Sequence, residues 1–171
     1  MEDELLYEVD ERDEIIGPRR RGELHRLGLR HRAVHILVFG ERDELFLQRR
    51  SPNKDINPGL WDTSAAGHVD FGESYDRCAA RELEEELGIS DGPTPEFLFK
   101  LPASPQTGWE FVQVYCTVHA GELRLNGAEI AEGRWFRPGD VDAWLDRGGD
   151  GLTTSFRVIW GRYRKGPTRG A

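Results

Sequence analysis

The chain has 171 residues, 37% of them apolar, and a formal net charge of −8 at pH 7. This size and apolar content fit one globular domain, residues 1–171, and no apolar run approaches the roughly 18 residues of a membrane span. The negative charge excludes broad nucleic-acid binding, which needs a basic surface. Since the acidic start "MEDELLYEVDERDE" differs from a basic targeting peptide, we expect a cytoplasmic protein.

The first third of the chain alternates short apolar runs with turn signals. "LLYEVD" and "EIIGP" flank the turn-like "ERD" and predict a hairpin within an N-terminal region of about residues 1–32. The continuous apolar run "AVHILVF" predicts a central strand, and "ELFLQRR", which follows "GERD", predicts its hairpin partner. Residues 51–66 contain Asn-Pro-Gly and predict a loop, with a strand beginning at Leu60 and Trp61.

The remaining chain predicts further strands and three helices. Ser74 suits an N-cap, Asp76 a first helical turn and Gly88 the left-handed residue that ends a helix, so a helix is predicted over 74–87. A C-terminal helix is predicted over about 155–164 with Ser155 as its cap. The other predicted elements are strands at 95–101, 109–119 and 133–137 and a helix at 139–147. Cys78 and Cys116 are too few for a disulfide framework and lack the paired spacing of a zinc site, so both are expected as reduced core thiols.

The helix predicted over 74–87 concentrates carboxylates in "RELEEE". At 100° per residue Glu82, Glu85 and Glu86 fall within an arc of about 100°, while Glu84 points to solvent. Arg81 is a single cation beside four mutually repelling glutamates. Two interpretations remain open from the spacing: a solvated acidic face, or a site for a divalent cation such as Mg²⁺, which takes oxygen ligands.

The residues around this cluster resemble the signature of the Nudix hydrolases. Gly67, Glu73 and "RELEEELGI" from Arg81 to Ile89 are similar to it at every specified position, which would occur by chance roughly once in 10⁸ starting points. The resemblance implies an α/β fold, a Nudix-type α/β/α sandwich with a mixed β-sheet between helices, and a signature loop, helix and loop over 67–89. It also implies a metal-dependent hydrolase that cleaves a diphosphate linkage in a nucleoside diphosphate joined to another moiety.

The same resemblance implies roles for individual residues. Mg²⁺ or Mn²⁺ would be bound by Glu82, Glu85, Glu86 and the carbonyl of Gly67. Glu73 and Arg81 would brace the loop against the helix that Gly88 ends. The catalytic base stays open between a glutamate of the helix, such as Glu82 or Glu85, and a later one, for which the candidates are Glu129 and Glu132.

Other polar residues are candidates for substrate binding. Arg49 and Arg50 end a predicted strand and suit bidentate phosphate contact, although solvated strand-end arginines are an equal alternative. His68 adjoins the metal loop and is a candidate for contact with phosphate or a metal-bound water. The expected partner is a small-molecule diphosphate, and the resemblance is compatible with a homodimer.

Two alternatives to hydrolysis remain. "HRAVHILVF" and "NPGLWDTSAAGHVDFGES" resemble the branch of the family near isopentenyl diphosphate isomerase, and Glu110 matches an isomerase glutamate in substrate binding. Against an isomerase, Ala66 stands where that enzyme has a cysteine. The other alternative, a non-catalytic nucleotide-binding module, would be expected to lose signature glutamates, yet all are present. No motif identifies the particular diphosphate.

Overall fold

The structure, a computed structural model, describes residues 3–166. Residues 1–2 and 167–171 of the predicted domain lie outside the described part. The strands are β1 (Leu5–Val9), β2 (Ile15–Arg20), β3 (His31–Phe39), β4 (Leu45–Arg50), β5 (Trp61–Asp62), β6 (Ala65–His68), β7 (Glu96–Leu101), β8 (Glu110–Val118) and β9 (Ile130–Phe136). The helices are α1 (Arg21–Leu27), α2 (Tyr75–Leu87), α3 (Pro138–Asp146) and α4 (Thr154–Arg164), with a short 3₁₀ helix at Pro105–Thr107.

The main sheet has the strand order β5-β4-β3-β8-β7, with β6 also paired to β3 and β9 to β4. Only the β3–β8 pair is parallel among these pairings, so the sheet is mixed. β3 is the predicted central strand, and it pairs with β6 along its first half and with β4 only at its end. Ser64 lies at this branch, where its hydroxyl accepts from the Val38 amide and donates to the Phe46 carbonyl.

The two faces of the sheet bury separate apolar clusters. Val34, Ile36 and Val38 of β3 pack on the face covered by α2, with Leu83 and Leu87. The alternate β3 residues Ala33 and Leu37 pack on the other face with residues of α3 and α4: Val141, Phe156, Ile159 and Trp160. Helices therefore cover both faces of a mixed sheet, which confirms the predicted α/β/α sandwich.

The N-terminal hairpin forms as predicted from β1 and β2, which make a separate two-stranded sheet. Its turn is fixed to the rest of the molecule by buried Asp13, which accepts from Arg32 Nε at 2.7 Å and from the Tyr75 hydroxyl at 2.7 Å. The following helix α1 was not predicted. It buries only Leu24, so its sequence carries little of the periodicity that marks a helix.

Most helix boundaries follow local capping signals. Ser74 Oγ accepts from the Arg77 amide at 3.2 Å, and Gly88 is left-handed with φ 71°, as predicted for α2. The predicted cap of α4 is wrong, because Thr153 rather than Ser155 accepts from the helix, at the Phe156 amide. Trp109, predicted within a strand, has φ 64° and precedes β8.

Cys78 is buried and Cys116 is partly buried, and no disulfide joins them. Burial raises the pKa of the Cys78 thiol, so this residue stays protonated. Within residues 3–166, none of the helices combines the length and apolar character needed to cross a membrane.

Candidate active site

Helix α2 directs two of its glutamates inward, toward β6. Glu82 and Glu86 are only 8% and 6% exposed, while Glu85 and Glu84 lie at the surface. Leu83 is buried against the sheet on the same helix. Of the three glutamates predicted to lie within one arc, Glu82 and Glu86 are therefore buried, and Glu85 is exposed.

Arg81 connects this helix to the loop before it. Its guanidinium donates to both oxygens of Glu73, at 2.8 and 3.0 Å, and to the His68 carbonyl at 3.1 Å. It also donates to Glu82 at 2.7 Å and Glu85 at 3.2 Å. Burial acts to raise the pKa of Glu73, but the hydrogen bonds and charge of Arg81, together with the bond from the Asp70 amide, lower that pKa overall. This geometry is that of a brace between loop and helix.

Strand β6 approaches α2 closely because residue 67 is glycine. A Cβ built on Gly67 would lie 2.0 Å from Glu82 Oε1, far inside van der Waals contact. The neighbouring Ala66 amide donates to Glu86 Oε1 at 2.8 Å, and Gln48 Nε2 donates to Glu86 Oε2 at 3.2 Å. The backbone of β6 and the two buried carboxylates therefore share one small polar site.

Both buried carboxylates have pKa values raised above the ordinary 4.5 of a glutamate, chiefly by burial. Burial, with the nearby charge of Glu86, raises the pKa of Glu82 to about 8. Burial also raises the pKa of Glu86 to about 7, although the bonds from Ala66 and Gln48 oppose the shift. Clustered carboxylate oxygens next to a backbone carbonyl are a donor set that suits Mg²⁺ or Mn²⁺, and a divalent cation would relieve this repulsion.

The loop before β9 brings Glu129 to the same site. The Arg124 amide donates to the Leu87 carbonyl at 2.9 Å and the Asn126 amide to the Glu86 carbonyl at 3.0 Å, which fixes the loop to the last turn of α2. The charge of Glu129 contributes to the raised pKa of Glu86, and its carboxylate is ion-paired with Lys54. Of the two later candidates, Glu129 is therefore the one beside the carboxylate helix.

Glu132 and Arg49 lie on the other face of the sheet. They are opposite each other in the β4–β9 pairing, with Glu132 Oε1 3.7 Å from Arg49 Nε and 3.4 Å from Arg134. Because side chains alternate along a strand, Arg49 shares the face of Leu47, which packs away from α2. The structure does not bring these two predicted site residues to the helix carboxylates.

Arg50 lies on the α2 face, next to the loop of residues 51–60. Its Nε donates to the Ile56 carbonyl at 3.0 Å, and its guanidinium is 4.0 Å from Asp62. This side chain is only 19% exposed and already ordered by the loop. It stays a candidate for phosphate contact at the edge of the site.

Two residues at the site were missed from the sequence. Gln48 could have been found, since strand alternation places it on the same face as Arg50. Lys54 lies in an irregular loop, where no periodicity indicates its direction, and only the folded chain pairs it with Glu129.

His68 and Glu110 form a separate contact, with His68 Nε2 2.9 Å from Glu110 Oε1. In the β3–β6 pairing Gly67 is opposite Val34 and His68 is opposite Ala33. Since Val34 packs toward α2 and Ala33 toward α4, the His68 ring points away from the carboxylate helix. Neither side chain therefore joins the Glu82 and Glu86 carboxylates.

Comparisons with known proteins agree with this architecture. A family model described as the NUDIX domain matches residues 29–154. An uncharacterised Nudix hydrolase of Pseudomonas aeruginosa is 43% identical over 138 residues, which are 79% of each chain. An isopentenyl-diphosphate Delta-isomerase of Photorhabdus laumondii is 32% identical over 162 residues, 92% of this chain and 90% of that one. A crystal structure of a Deinococcus radiodurans protein superposes with a TM-score of 0.81 at 27% identity, covering 93% of this chain and 98% of the other. The chain therefore belongs to the Nudix hydrolase family of pyrophosphohydrolases.

Proposed function

We propose that the chain hydrolyses a diphosphate linkage in a nucleoside diphosphate joined to another moiety, with Mg²⁺ or Mn²⁺ bound by Glu82, Glu85, Glu86 and the Gly67 carbonyl. The observation that carries this proposal is the pair of buried carboxylates, Glu82 and Glu86, against a strand that approaches only because residue 67 is glycine. Nudix enzymes generally use divalent metals, which supports the same assignment.

The chain's own residues supply the remaining parts of the reaction. A bound cation would neutralise charge on the phosphate oxygens. Arg81 holds Glu82 and Glu85 by hydrogen bonds, and the Ala66 amide orients Glu86. Glu129, beside α2 but outside it, is the group proposed to take the proton from the attacking water.

Cations at the edge of the site would bind the anionic substrate. Lys54 is paired with Glu129, and its side chain is only 25% exposed. We propose that Lys54, together with Arg50, contacts a phosphate oxygen when substrate enters, since ammonium and guanidinium groups both donate to phosphate. The Lys54 pair also keeps the Glu129 carboxylate in position before substrate binds.

The test is turnover on a panel of nucleotide sugars, dinucleotides and nucleoside triphosphates, with Mg²⁺, with Mn²⁺ and with chelator. Reaction in ¹⁸O-labelled water should place the label in a phosphate of the product, because water attacks phosphorus. Glu84→Gln is a matched control for Glu86→Gln, since Glu84 is exposed on the same helix. Binding of a nucleotide without metal-dependent turnover of any panel member would contradict the proposal.

A second candidate function is an isomerase acting on isopentenyl diphosphate. The observation that favours it is the 32% identity to an isopentenyl-diphosphate Delta-isomerase over most of both chains. An argument against it is Ala66, the residue whose amide donates to Glu86. Proton transfer to carbon needs an acid or a base, and the side chain of Ala66 is only a methyl group. Rearrangement of the double bond of isopentenyl diphosphate, without phosphate release, would establish this function instead.

A further inference from the structure

The N-terminal hairpin contacts the signature loop, the loop of residues 69–74 that joins β6 to α2. Leu6 of β1 forms an isolated antiparallel bridge to Asp70. One residue further along the loop, the Phe71 amide donates to the Leu5 carbonyl at 2.9 Å. The hairpin precedes the matched NUDIX domain, which begins at residue 29. The signature loop is therefore held by a segment that lies outside the family match.

Tyr7 of β1 makes the one side-chain bond between this strand and the backbone of the signature loop among the described residues. Its hydroxyl accepts from the Gly72 amide at 2.8 Å, and the residue is only 9% exposed. The Tyr7 ring lies 4.7 Å from the Phe71 ring, and the Arg32 guanidinium lies 5.1 Å from the centre of the Tyr7 ring. These two contacts orient the ring, so the position of its hydroxyl is defined before the loop bonds to it.

The bond from Gly72 fixes a turn of residues 70–73 that carries Glu73. The Glu73 amide donates to the Asp70 carbonyl at 3.0 Å, and the Asp70 amide donates to Glu73 Oε2 at 3.1 Å. Gly72 lies inside this turn with φ 93°, and it has no side chain to restrict its backbone. Glu73 accepts from Arg81, which also holds the proposed metal ligands of α2. A shift of the turn would therefore be transmitted to those ligands.

The other end of the hairpin is anchored at the start of α2. Asp13, in the hairpin turn, accepts from the hydroxyl of Tyr75, the first residue of α2, at 2.7 Å and is ion-paired with Lys100. The Arg32 guanidinium donates to Asp13 and lies 5.1 Å from the ring centres of both Tyr7 and Tyr75. Since the hairpin turn is fixed to the helix, the Tyr7 hydroxyl keeps a defined position relative to α2.

We infer that Tyr7 is a positioning residue for the proposed metal site. Its hydroxyl holds the turn of residues 70–73 so that Glu73 meets Arg81, and Arg81 in turn holds the glutamates of α2. This inference rests on the proposed function, since it requires those glutamates to bind Mg²⁺ or Mn²⁺. The hairpin thereby sets the affinity for the metal, although it contributes none of the proposed ligands.

The experiment measures Mn²⁺ binding to the full chain by electron paramagnetic resonance, which distinguishes free from bound Mn²⁺. Tyr7→Phe should weaken the affinity about tenfold, the lower end of the loss when a residue that orients metal ligands is changed. In the metal-free protein, the Asp70 amide should exchange faster with solvent in Tyr7→Phe, because its acceptor Glu73 is held less firmly. Tyr7→Phe preserves the ring contacts with Phe71 and Arg32, so the variant is expected to fold, and circular dichroism checks this.

Tyr115→Phe is the matched control. It removes another buried tyrosine hydroxyl that is bonded to α2, because Tyr115 donates to Asp76 at 2.6 Å. That bond involves neither Glu73 nor Arg81, so the Mn²⁺ affinity of Tyr115→Phe should equal that of the unmodified protein. Any loss of thermal stability common to both variants is thereby separated from the effect on metal binding.

A double variant tests the route from Tyr7 to the metal. If Tyr7 acts through Glu73, Tyr7→Phe/Glu73→Gln should bind Mn²⁺ no more weakly than Glu73→Gln alone, because coupled residues are not additive. Unaltered affinity in Tyr7→Phe, an equal loss in Tyr115→Phe, or additive losses in the double variant would overturn the inference and leave the proposed function standing. Failure of the unmodified protein to bind Mn²⁺, or binding that Glu86→Gln leaves unaltered, would overturn the proposed metal site and this inference with it.

Discussion

Gly67 and Glu82 are in such close contact that no side chain fits between them. A Cβ on residue 67 would be 2.0 Å from Oε1 and 2.1 Å from Cδ of Glu82. The obstacle is a buried carboxylate held by Arg81, not a freely moving chain end. The spacing between β6 and α2, and with it the position of the proposed metal ligands, therefore depends on the absence of one methyl group.

We predict that Gly67→Ala lowers kcat/KM by about 100-fold, because displacement of a catalytic group by about 1 Å can cost that much. The measurement is steady-state hydrolysis of the best panel substrate, with circular dichroism to verify folding. Gly139→Ala is the control, since a Cβ there would meet nothing within 4 Å. Full activity of the Gly67→Ala protein would show that hydrolysis does not depend on the position of the Glu82 carboxylate.

Glu85→Gln and Glu86→Gln should each reduce turnover by at least about 100-fold. Mutation of residues that only orient metal ligands already lowers metal affinity or activity by about 10- to 100-fold. Both variants preserve side-chain volume, and circular dichroism should show a native fold, although Glu86→Gln gives up one of the bonds accepted from Ala66 and Gln48. Glu84→Gln, on the exposed side of the same helix, should retain full turnover. If both ligand variants remained active with Mg²⁺, the metal assignment would be wrong.

The two later glutamates should differ in effect. Glu129→Gln should slow catalysis by about 10²- to 10⁴-fold if Glu129 is the base, whereas Glu132→Gln should not. Glu132 is ion-paired with Arg49 and Arg134 on the opposite face of the sheet, so it serves as a matched control. The measurement is kcat across pH at saturating metal. If both changes had equal, small effects, we would infer that the catalytic base is a glutamate of α2.

Sequence patterns predicted the parts of this molecule that depend on neighbouring residues. The limits of α2 follow from Ser74 and Gly88, which act within one helical turn. The central strand follows from a continuous apolar run that is buried on both faces. The spacing of the signature likewise places Glu82 and Glu86 on one side of a helix.

What the sequence could not predict depends on irregularities and on distant contacts. β9 has a register shift opposite Arg49 and Arg50, so that Ile130 pairs with Arg50 but Glu132 pairs with Arg49. A strict alternation would put Ile130 and Glu132 on one face, and the bulge places them on opposite faces. The contact between His68 and Glu110 is similarly invisible to local patterns, because the two residues come from separate strands, β6 and β8.

The final prediction concerns pH and stability without metal. Glu82 and Glu86, with pKa values raised to about 8 and about 7 from an ordinary 4.5, keep protons in the folded state that the unfolded chain releases above pH 4.5. Since the folded state binds more protons in this window, the free energy of unfolding should fall as pH rises from about 4.5 to about 8. Mg²⁺ needs ionised carboxylates, so its stabilising effect should be larger at pH 8 than at pH 6.

Thermal unfolding with chelator and with Mg²⁺, at a series of pH values, measures both effects. The double variant Glu82→Gln/Glu86→Gln should flatten the metal-free dependence and remove the response to Mg²⁺, because neither amide titrates. Glu84→Gln should preserve both, since that side chain is exposed. A metal-free midpoint that rises between pH 5 and 8, or a Mg²⁺ effect that persists in the double variant, would mean that these two carboxylates are not the titrating ligands.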